Sequence, residues 1–424
     1  MPRTEFPKYF LLNFVPDVAL LAEVTALLHK ERIIMINLTK IQEFLKSEKL
    51  DGWLLADFHA RNGIAVELLD LSPHLTRRFF YFIPAQGEPT AFLHNIEKDK
   101  FTHLQGKAVT FSSYRLLESL LSGILKGHKR IAMEYSPSGR LPYIGLVDAG
   151  TIELVRSLGV EIVSSADIVA NFQARMTLEQ IIFHKKAAAL INGIKDEAFA
   201  FIQKCLTHRT HVDEKMVVDF IMNRFQEENL VTDFPPICAV DANISNGHYQ
   251  PPDKNSAPIR NGNLVLIDLW AKKNESHSIF ADITWMAYAG KETPEEYRKI
   301  FDIVSAARDR AVKFIEERFG RGPLYGYEVD DACRKVIVDA GYGDFFFHRT
   351  GHSILESTHG PGPNIDNLET EDRRRLSPGH LFSIEPGIYL EKFGVRSEID
   401  CMITESGPEI TTQPVQSEII ALLK

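Results

Sequence analysis

The sequence predicts an α+β chain in two parts: an α/β domain, then a larger domain whose helices and paired strands do not alternate regularly. Three observations predict this. The 424 residues exceed what one hydrophobic core usually organises, so two domains are the first expectation. From Leu38 the run LTKIQEFLKSEKLDGWLLAD passes from a helical to a strand-like pattern, which opens an α/β unit. From Met176 onward, long helical runs flank strand-rich segments instead of alternating with them.

Taken in order, residues 1–34 form an extension. Its apolar run LLNFVPDVALLAEV is interrupted by Pro16, Asp17 and Glu23, too short and too charged for a membrane span. The flank MPRTEFPKYF has little positive charge and no small-residue cleavage site follows, so a signal peptide is not expected, and Met35 is an alternative start. The first domain is placed at 35–175. In it Asn37 or Thr39 caps an amphipathic helix, and DGWLLAD is a buried strand. RRFFYFIPAQGEPTAFLH forms a hairpin across AQGEP, KRIAMEYS and VEIVSSA are further strands, and SYRLLESLLSGIL is a helix between them.

The second domain is placed at 176–424. It opens with the long helix TLEQIIFHKKAAALINGIKDEAFAFIQKC, for which Thr177 is the N-cap and Glu179 and Gln180 lie in the first turn. Two more helices follow, DEKMVVDFIMNRFQEE and TPEEYRKIFDIVSAARDRAVKFIEERF. The segment NLVLIDLWAKKNESHSIFADITWMAYAG reads as two strands around the polar turn KKNESH, and SIEPGIYL and GVRSEIDCMIT as two more around a short turn.

Composition narrows the function. A hydrophobic share of 44% and a charged share of 25% are those of a soluble globular protein, so wholesale disorder is excluded. The net charge of -9 and the absence of a long Lys/Arg run argue against nucleic acid and against an anionic membrane surface. Cys205, Cys238, Cys333 and Cys401 are far apart and form no CxxC pair, which fits a reducing cytoplasm better than a disulfide framework or a zinc knuckle. HExxH, GxSxG, GxxxxGK[ST] and GxGxxG are all missing, so zincins, serine hydrolases and nucleotide enzymes lose support.

Four acids interrupt apolar runs: Asp268 and Asp282 in the first strand pair, Glu385 and Glu398 in the second. A carboxylate among apolar neighbours is costly unless paired, hydrogen-bonded or bound to a metal. Either Asp alone reads more readily as a strand acid that caps a turn or meets an arginine. Four acids on two hairpins could converge, and such a site needs divalent cations to relieve repulsion that Arg396 offsets only in part. The stretch HRTGHSILESTHG adds His348, His352 and His359. The spacing of four puts His348 and His352 on one face of either a strand or a helix, so it favours cooperation without fixing the backbone.

Together, IDLWAK, FADITW, HRTGHSILESTH, FSIEPGIY and GVRSEID, in that order, resemble the pita-bread metallopeptidase family of Xaa-Pro aminopeptidases, prolidases and methionine aminopeptidases. The resemblance implies a carboxyl-terminal pita-bread (creatinase/aminopeptidase) fold behind an α/β creatinase-type amino-terminal domain. It implies Asp268, Asp282, His352, Glu385 and Glu398 as ligands of two divalent ions, with Asp282 and Glu398 bridging them. His248 and His359 match the family's substrate-side histidines, Glu385 its proton-shuttling ligand, and His348 and Arg396 accessory substrate-binding positions of the proline-specific branch. Two departures are visible. Thirteen residues separate Asp268 from Asp282 where the family usually has ten, and Trp270 replaces a small residue.

The implied reaction is hydrolysis of an Xaa-Pro bond in a peptide or dipeptide through a metal-bridging hydroxide. Manganese is the first expectation, with cobalt, iron or zinc as alternatives, since carboxylates and one imidazole suit borderline-to-hard ions. The family also implies a homodimer. A hydrolase of another small amide, as in ectoine-type hydrolases, and a non-catalytic pita-bread binding protein are the competing readings; retention of all five ligand types weighs against the latter.

Overall fold

The computed structural model describes residues 37–423. The expectations for residues 1–34 and for Met35 fall outside them. The chain opens with helix α1 (Leu38–Ser47), whose cap is Asn37 and not Thr39: the Asn37 side chain accepts the Lys40 N–H. Strands β1 (Gly52–Asp57), β2 (Phe79–Pro84), β3 (Thr90–His94), β4 (Lys107–Phe111), β5 (Arg130–Met133) and β6 (Glu161–Ser164) follow, interleaved with α2 (Gly63–Leu68), α3 (Tyr114–Leu125), α4 (Ala149–Ser157) and α5 (Ala166–Gln173).

These strands form one mixed sheet in the order β4-β3-β2-β1-β5-β6, with β2 and β3 the hairpin across AQGEP. Every residue of β1 is buried. Trp53 and Leu55 pack with Ile41 and Leu45 of α1, while Leu54 and Ala56 face Leu117 and Leu121 of α3. Helices on both faces explain why GWLLA is continuously apolar and does not alternate.

The second part begins with α6 (Leu178–His208) and α7 (Glu214–Glu227), followed by β7 (Leu230–Val231), β8 (Ile237–Val240), β9 (Leu264–Lys273), β10 (Ala281–Tyr288), α8 (Glu295–Arg318) and α9 (Gly326–Asp339). It ends with β11 (Leu381–Ile384), β12 (Gly387–Tyr389), β13 (Gly394–Arg396), β14 (Ile399–Thr404), β15 (Gly407–Ile410) and β16 (Ile420–Ala421). Helix α9 was not anticipated from the sequence. Its buried stripe Val329, Cys333 and Ile337 has a helical period, but the opening Gly326 and the β-branched run Val336–Val338 lower its propensity.

Strands β9 and β10 lie at the centre of the main sheet, ordered β16-β10-β9-β7 with β8 also paired to β9. Val265, Ile267, Ile283 and Trp285 point to one face, against Ala187, Ala188, Ile191 and Ala198 of α6. The small alanines let that helix approach closely. Leu264, Leu266 and Met286 point to the other face, toward α8, α9 and the last strands. The side chains that alternate with the α6-facing set on β9 and β10 therefore look into the space between these layers.

Candidate metal centre

The register of the β9–β10 hairpin sets the first two acids. Asp268 lies opposite Thr284, and Asp282 lies opposite Trp270, so Asp268, Asp282 and Thr284 share the face turned away from α6. The three surplus residues do not disturb this. The ladder closes at Ala271 and Ala281, and beyond it Lys272 and Lys273 pair with β7. At the tip His277 takes a left-handed φ of 61° and its Nδ1 lies 2.8 Å from Glu356 Oε1. The Trp270 indole donates to Asp233 Oδ1 at 2.8 Å.

The second hairpin is interrupted where its acids sit. Ile384 pairs with Ile399 and Gly387 with Arg396, one continuous register that would place Glu385 across from Glu398. The ladder breaks there. The Glu385 N–H donates to Thr350 O at 2.7 Å and the Glu398 N–H to Thr284 O at 3.3 Å, while Pro386 has no N–H to give. Both acids are thus drawn toward the other segments of the site.

The His352 segment crosses beside β11. Its N–H donates to Ser383 Oγ, and its carbonyl accepts the Ser383 N–H, both at 2.9 Å. Nδ1 faces Ser353 O at 3.3 Å, a bond that requires the proton on Nδ1 and leaves the Nε2 lone pair toward the acids. Nε2 lies 3.7 Å from Asp282 Oδ2 and 3.4 Å from Glu385 Oε1.

Asp282, His352 and Glu398, all buried, bring one ligand atom each to within 4.8 Å of one another. The group is poorly satisfied without a cation. Asp282 Oδ1 is buried with no hydrogen-bond partner among the described residues. Burial pushes the Asp282 and Glu398 carboxyls well above their ordinary range, and neighbouring acids, among them Glu385 and Asp268, add to it. Burial pushes Glu385 up to about 7 and holds the His352 imidazole well below its ordinary value. Acids that resist ionising and an imidazole that resists protonation are the donor set a divalent ion fits.

Asp268 is met by Arg396, whose Nη2 donates to Oδ2. The buried Arg396 also donates to Thr284 Oγ1 at 3.1 Å and to the Tyr389 hydroxyl at 3.3 Å. Burial works against its charge, but Tyr389, Asp268, Glu385 and Glu398 around it hold its pKa above the ordinary guanidinium value. His348 is not with His352 at the acids. Its Nε2 lies 2.8 Å from the Tyr389 hydroxyl, and burial with the Arg396 charge pushes it down to about 3. The exposed His359 ring stands edge-on to that of His352, centroids 4.4 Å apart. His248 is exposed on the loop after β8, with its N–H donating to Asn246 Oδ1 at 3.3 Å.

Four residues of the site went unread in the sequence. Thr284 donates to Glu398 Oε2 at 2.7 Å, Ser383 donates to Glu385 Oε1 at 3.1 Å, Tyr389 joins His348 to Arg396, and Asp400 Oδ2 accepts the Asp282 N–H at 2.9 Å. Strand parity could have found Thr284, two residues from Asp282 on the same face. No helix of the described residues is long and apolar enough to cross a membrane.

The chain is similar in structure to a prolidase from Thermococcus sibiricus, with TM-score 0.60 and 24% identity over 91% of this chain and 98% of that one. It is also similar to the dipeptidase PepE from Mycobacterium ulcerans, with TM-score 0.65 and 20% identity over 91% and 97% of the two chains. The fold is therefore the pita-bread fold. In sequence, an uncharacterized peptidase of Staphylococcus epidermidis is 27% identical over 89% of this chain and 99% of its own length. An Xaa-Pro dipeptidase of Pyrococcus furiosus is 31% identical over 58% of this chain and 65% of its own. The family model of metallopeptidase family M24 matches residues 183–405, more than half of the chain, and the chain belongs to that family as a metallopeptidase.

Proposed function

We propose that this metallopeptidase hydrolyses Xaa-Pro bonds, as a dipeptidase or an aminopeptidase, at a centre of two divalent ions. The observation that carries the reading is the convergence of Asp282, His352 and Glu398 from three separate segments, with a partnerless carboxylate oxygen among them. Asp268 and Glu385 would complete the set that holds the ions, with Asp282 and Glu398 as the carboxylates shared between them. Manganese suits these donors, with cobalt, iron or zinc as alternatives. When bound, the ions would supply a water acidic enough to attack near neutral pH and a Lewis acid for the carbonyl.

The remaining chemistry belongs to the chain. Glu385 holds and passes the proton between the attacking water and the leaving amine, with its carboxylate oriented by the Ser383 hydroxyl. His359 and His248 stand on the substrate side and donate to the carbonyl region and the developing oxyanion. His348, kept neutral, and Arg396 line the proline side; Arg396 also fixes Asp268. Hydrolysis of another small amide at the same centre is the second reading.

We also take residue 176 as the domain boundary: the apolar clusters of the first sheet end at Phe172, and Met176 packs with Ile279, Phe280 and Leu381 of the second part. A homodimer is the assembly to test by light scattering. A cytoplasmic setting fits the four free cysteines. The deciding experiment is manganese-reconstituted hydrolysis of Gly-Pro, Ala-Pro and Ala-Pro-Ala side by side. Cleavage of the dipeptides alone gives a dipeptidase, cleavage of the tripeptide an aminopeptidase, and cleavage of none removes the Xaa-Pro reading.

A further inference from the structure

Trp270 lies on the face of β9 that carries the candidate metal ligands. It follows Asp268 by two residues and sits straight across from Asp282, so its side chain shares their face, while the intervening Leu269 packs toward α6. The indole is held on more than one side. It packs against the buried cluster that contains Phe280, Ile354 and Leu355, and its Nε1 donates to Asp233 Oδ1 at 2.8 Å. Asp233 in turn accepts the hydroxyl of the buried Thr358 at 2.9 Å, and Thr358 is the neighbour of His359. Apolar packing and the bond at the Nε1 edge together fix the plane of the ring beside Asp282.

The site thus has two unlike ends. At the rung formed by Asp268 and Thr284, Arg396 donates to both residues, with Tyr389 and His348 beyond it. At the next rung on the same face, ~7 Å toward the hairpin tip, Trp270 flanks Asp282, whose Oδ2 lies 3.7 Å from His352 Nε2. With the proline side lined by His348 and Arg396 and the scissile carbonyl among Asp282, His352 and Glu398, the residue before the scissile bond extends toward the Trp270 end, since each residue spans only ~3.5 Å. Trp270 is half-buried, so part of the indole still faces that space. A fixed ring of this size takes up the room a long side chain would need, and close-packed walls yield little to extra methylenes.

We propose that Trp270 is a specificity-determining residue: oriented by Asp233, it walls the space for the side chain that precedes the scissile bond and restricts that residue to small ones such as glycine and alanine. This rests on the Xaa-Pro peptidase reading above. The test compares kcat/KM of metal-loaded wild type, Trp270→Ala and Trp270→Phe on Gly-Pro, Ala-Pro, Leu-Pro and Phe-Pro, and on Ala-Leu and Phe-Leu. Wild type should favour Gly-Pro and Ala-Pro. Trp270→Ala should raise the Phe-Pro over Ala-Pro ratio by roughly 10- to 100-fold, with Trp270→Phe intermediate, and elemental analysis should find metal bound as in wild type. An unchanged ratio in Trp270→Ala overturns the assignment, as does a wild-type preference for Leu-Pro and Phe-Pro, which would make the indole a platform for large side chains. Loss of metal from both variants overturns it too, since the ring would then serve to support Asp282. Cleavage of the Leu-ended dipeptides alone removes the proline reading and leaves the Phe-Leu over Ala-Leu ratio to judge Trp270; cleavage of none removes both.

Discussion

Asp282 is the residue on which the site converges: its carboxylate faces His352 and Glu398, its N–H is held by Asp400, and one of its oxygens has no protein partner. An amide cannot bridge two ions as a carboxylate does, so Asp282→Asn or Glu398→Gln should lose metal and at least ~10³ in turnover. The variant should melt no lower than metal-free wild type, because one of the mutually repelling buried acids is gone, and below metal-loaded wild type, which the bound ions stabilise. Two tightly bound ions with wild-type turnover, measured by elemental analysis and assay, would remove the bridging role. The histidines divide differently. His359→Ala should keep its metal and lose roughly 10² to 10³ in turnover, the scale of a lost oxyanion donor. His352→Ala should bind metal weakly, and excess manganese should restore it in part. Rescue of His359→Ala by added manganese would overturn the division.

At the scale of elements, helix α6 carries the inner wall of the main sheet and begins with a reciprocal cap: the Gln180 N–H donates to Thr177 Oγ1 at 3.2 Å and the Thr177 N–H to Gln180 Oε1 at 2.9 Å. Thr177→Ala should cost about 1 kcal/mol and speed amide exchange in the first turn of α6 ahead of the rest of the helix. Uniform exchange along α6 in the variant would show that packing alone holds that end. The β9–β10 hairpin was legible as two strands, each with one acid, but that Asp268 and Asp282 share a face follows from the register that sets Asp268 opposite Thr284. The second hairpin was legible only as a whole. That its ladder opens at Glu385 and Glu398 depends on bonds to Thr350 and Thr284, which no local pattern reports.

At the scale of the molecule, the buried acids tie stability to pH and metal. Glu385 has its folded pKa raised from 4.5 to about 7, so the stability its proton supplies is full below about pH 4.5 and is lost as pH rises through 7. The buried His184 and His380, pushed down to about 4, act the other way: their contribution is present above the unfolded value of 6.5 and is lost as pH falls through 4. Comparison with Glu385→Gln cancels the histidines. With chelator present, wild type should lose melting temperature relative to Glu385→Gln between pH 5.5 and 8.5, and manganese should abolish the trend. A pH-independent difference would mean that Glu385 does not hold its proton in the folded state.

The sequence by itself determined the elements and the donor types. Amphipathic periods indicated the five helices α1, α3, α6, α7 and α8, apolar runs the longer strands but not β4, β7, β8, β15 or β16, and the motif order the four acids and three histidines, because these are properties of neighbours along the chain. Only the tertiary structure decided which of them meet. His348 and His352, equivalent by spacing, part company: one joins Tyr389 and Arg396, the other Asp282 and Glu385. Arg396, two residues from Glu398 in the chain, spends its charge on Asp268 in another strand. Thr284 and Asp400 reach the site from β10 and β14. Such pairings are set by register between distant strands and by contact between the two parts of the chain, and a linear pattern carries neither.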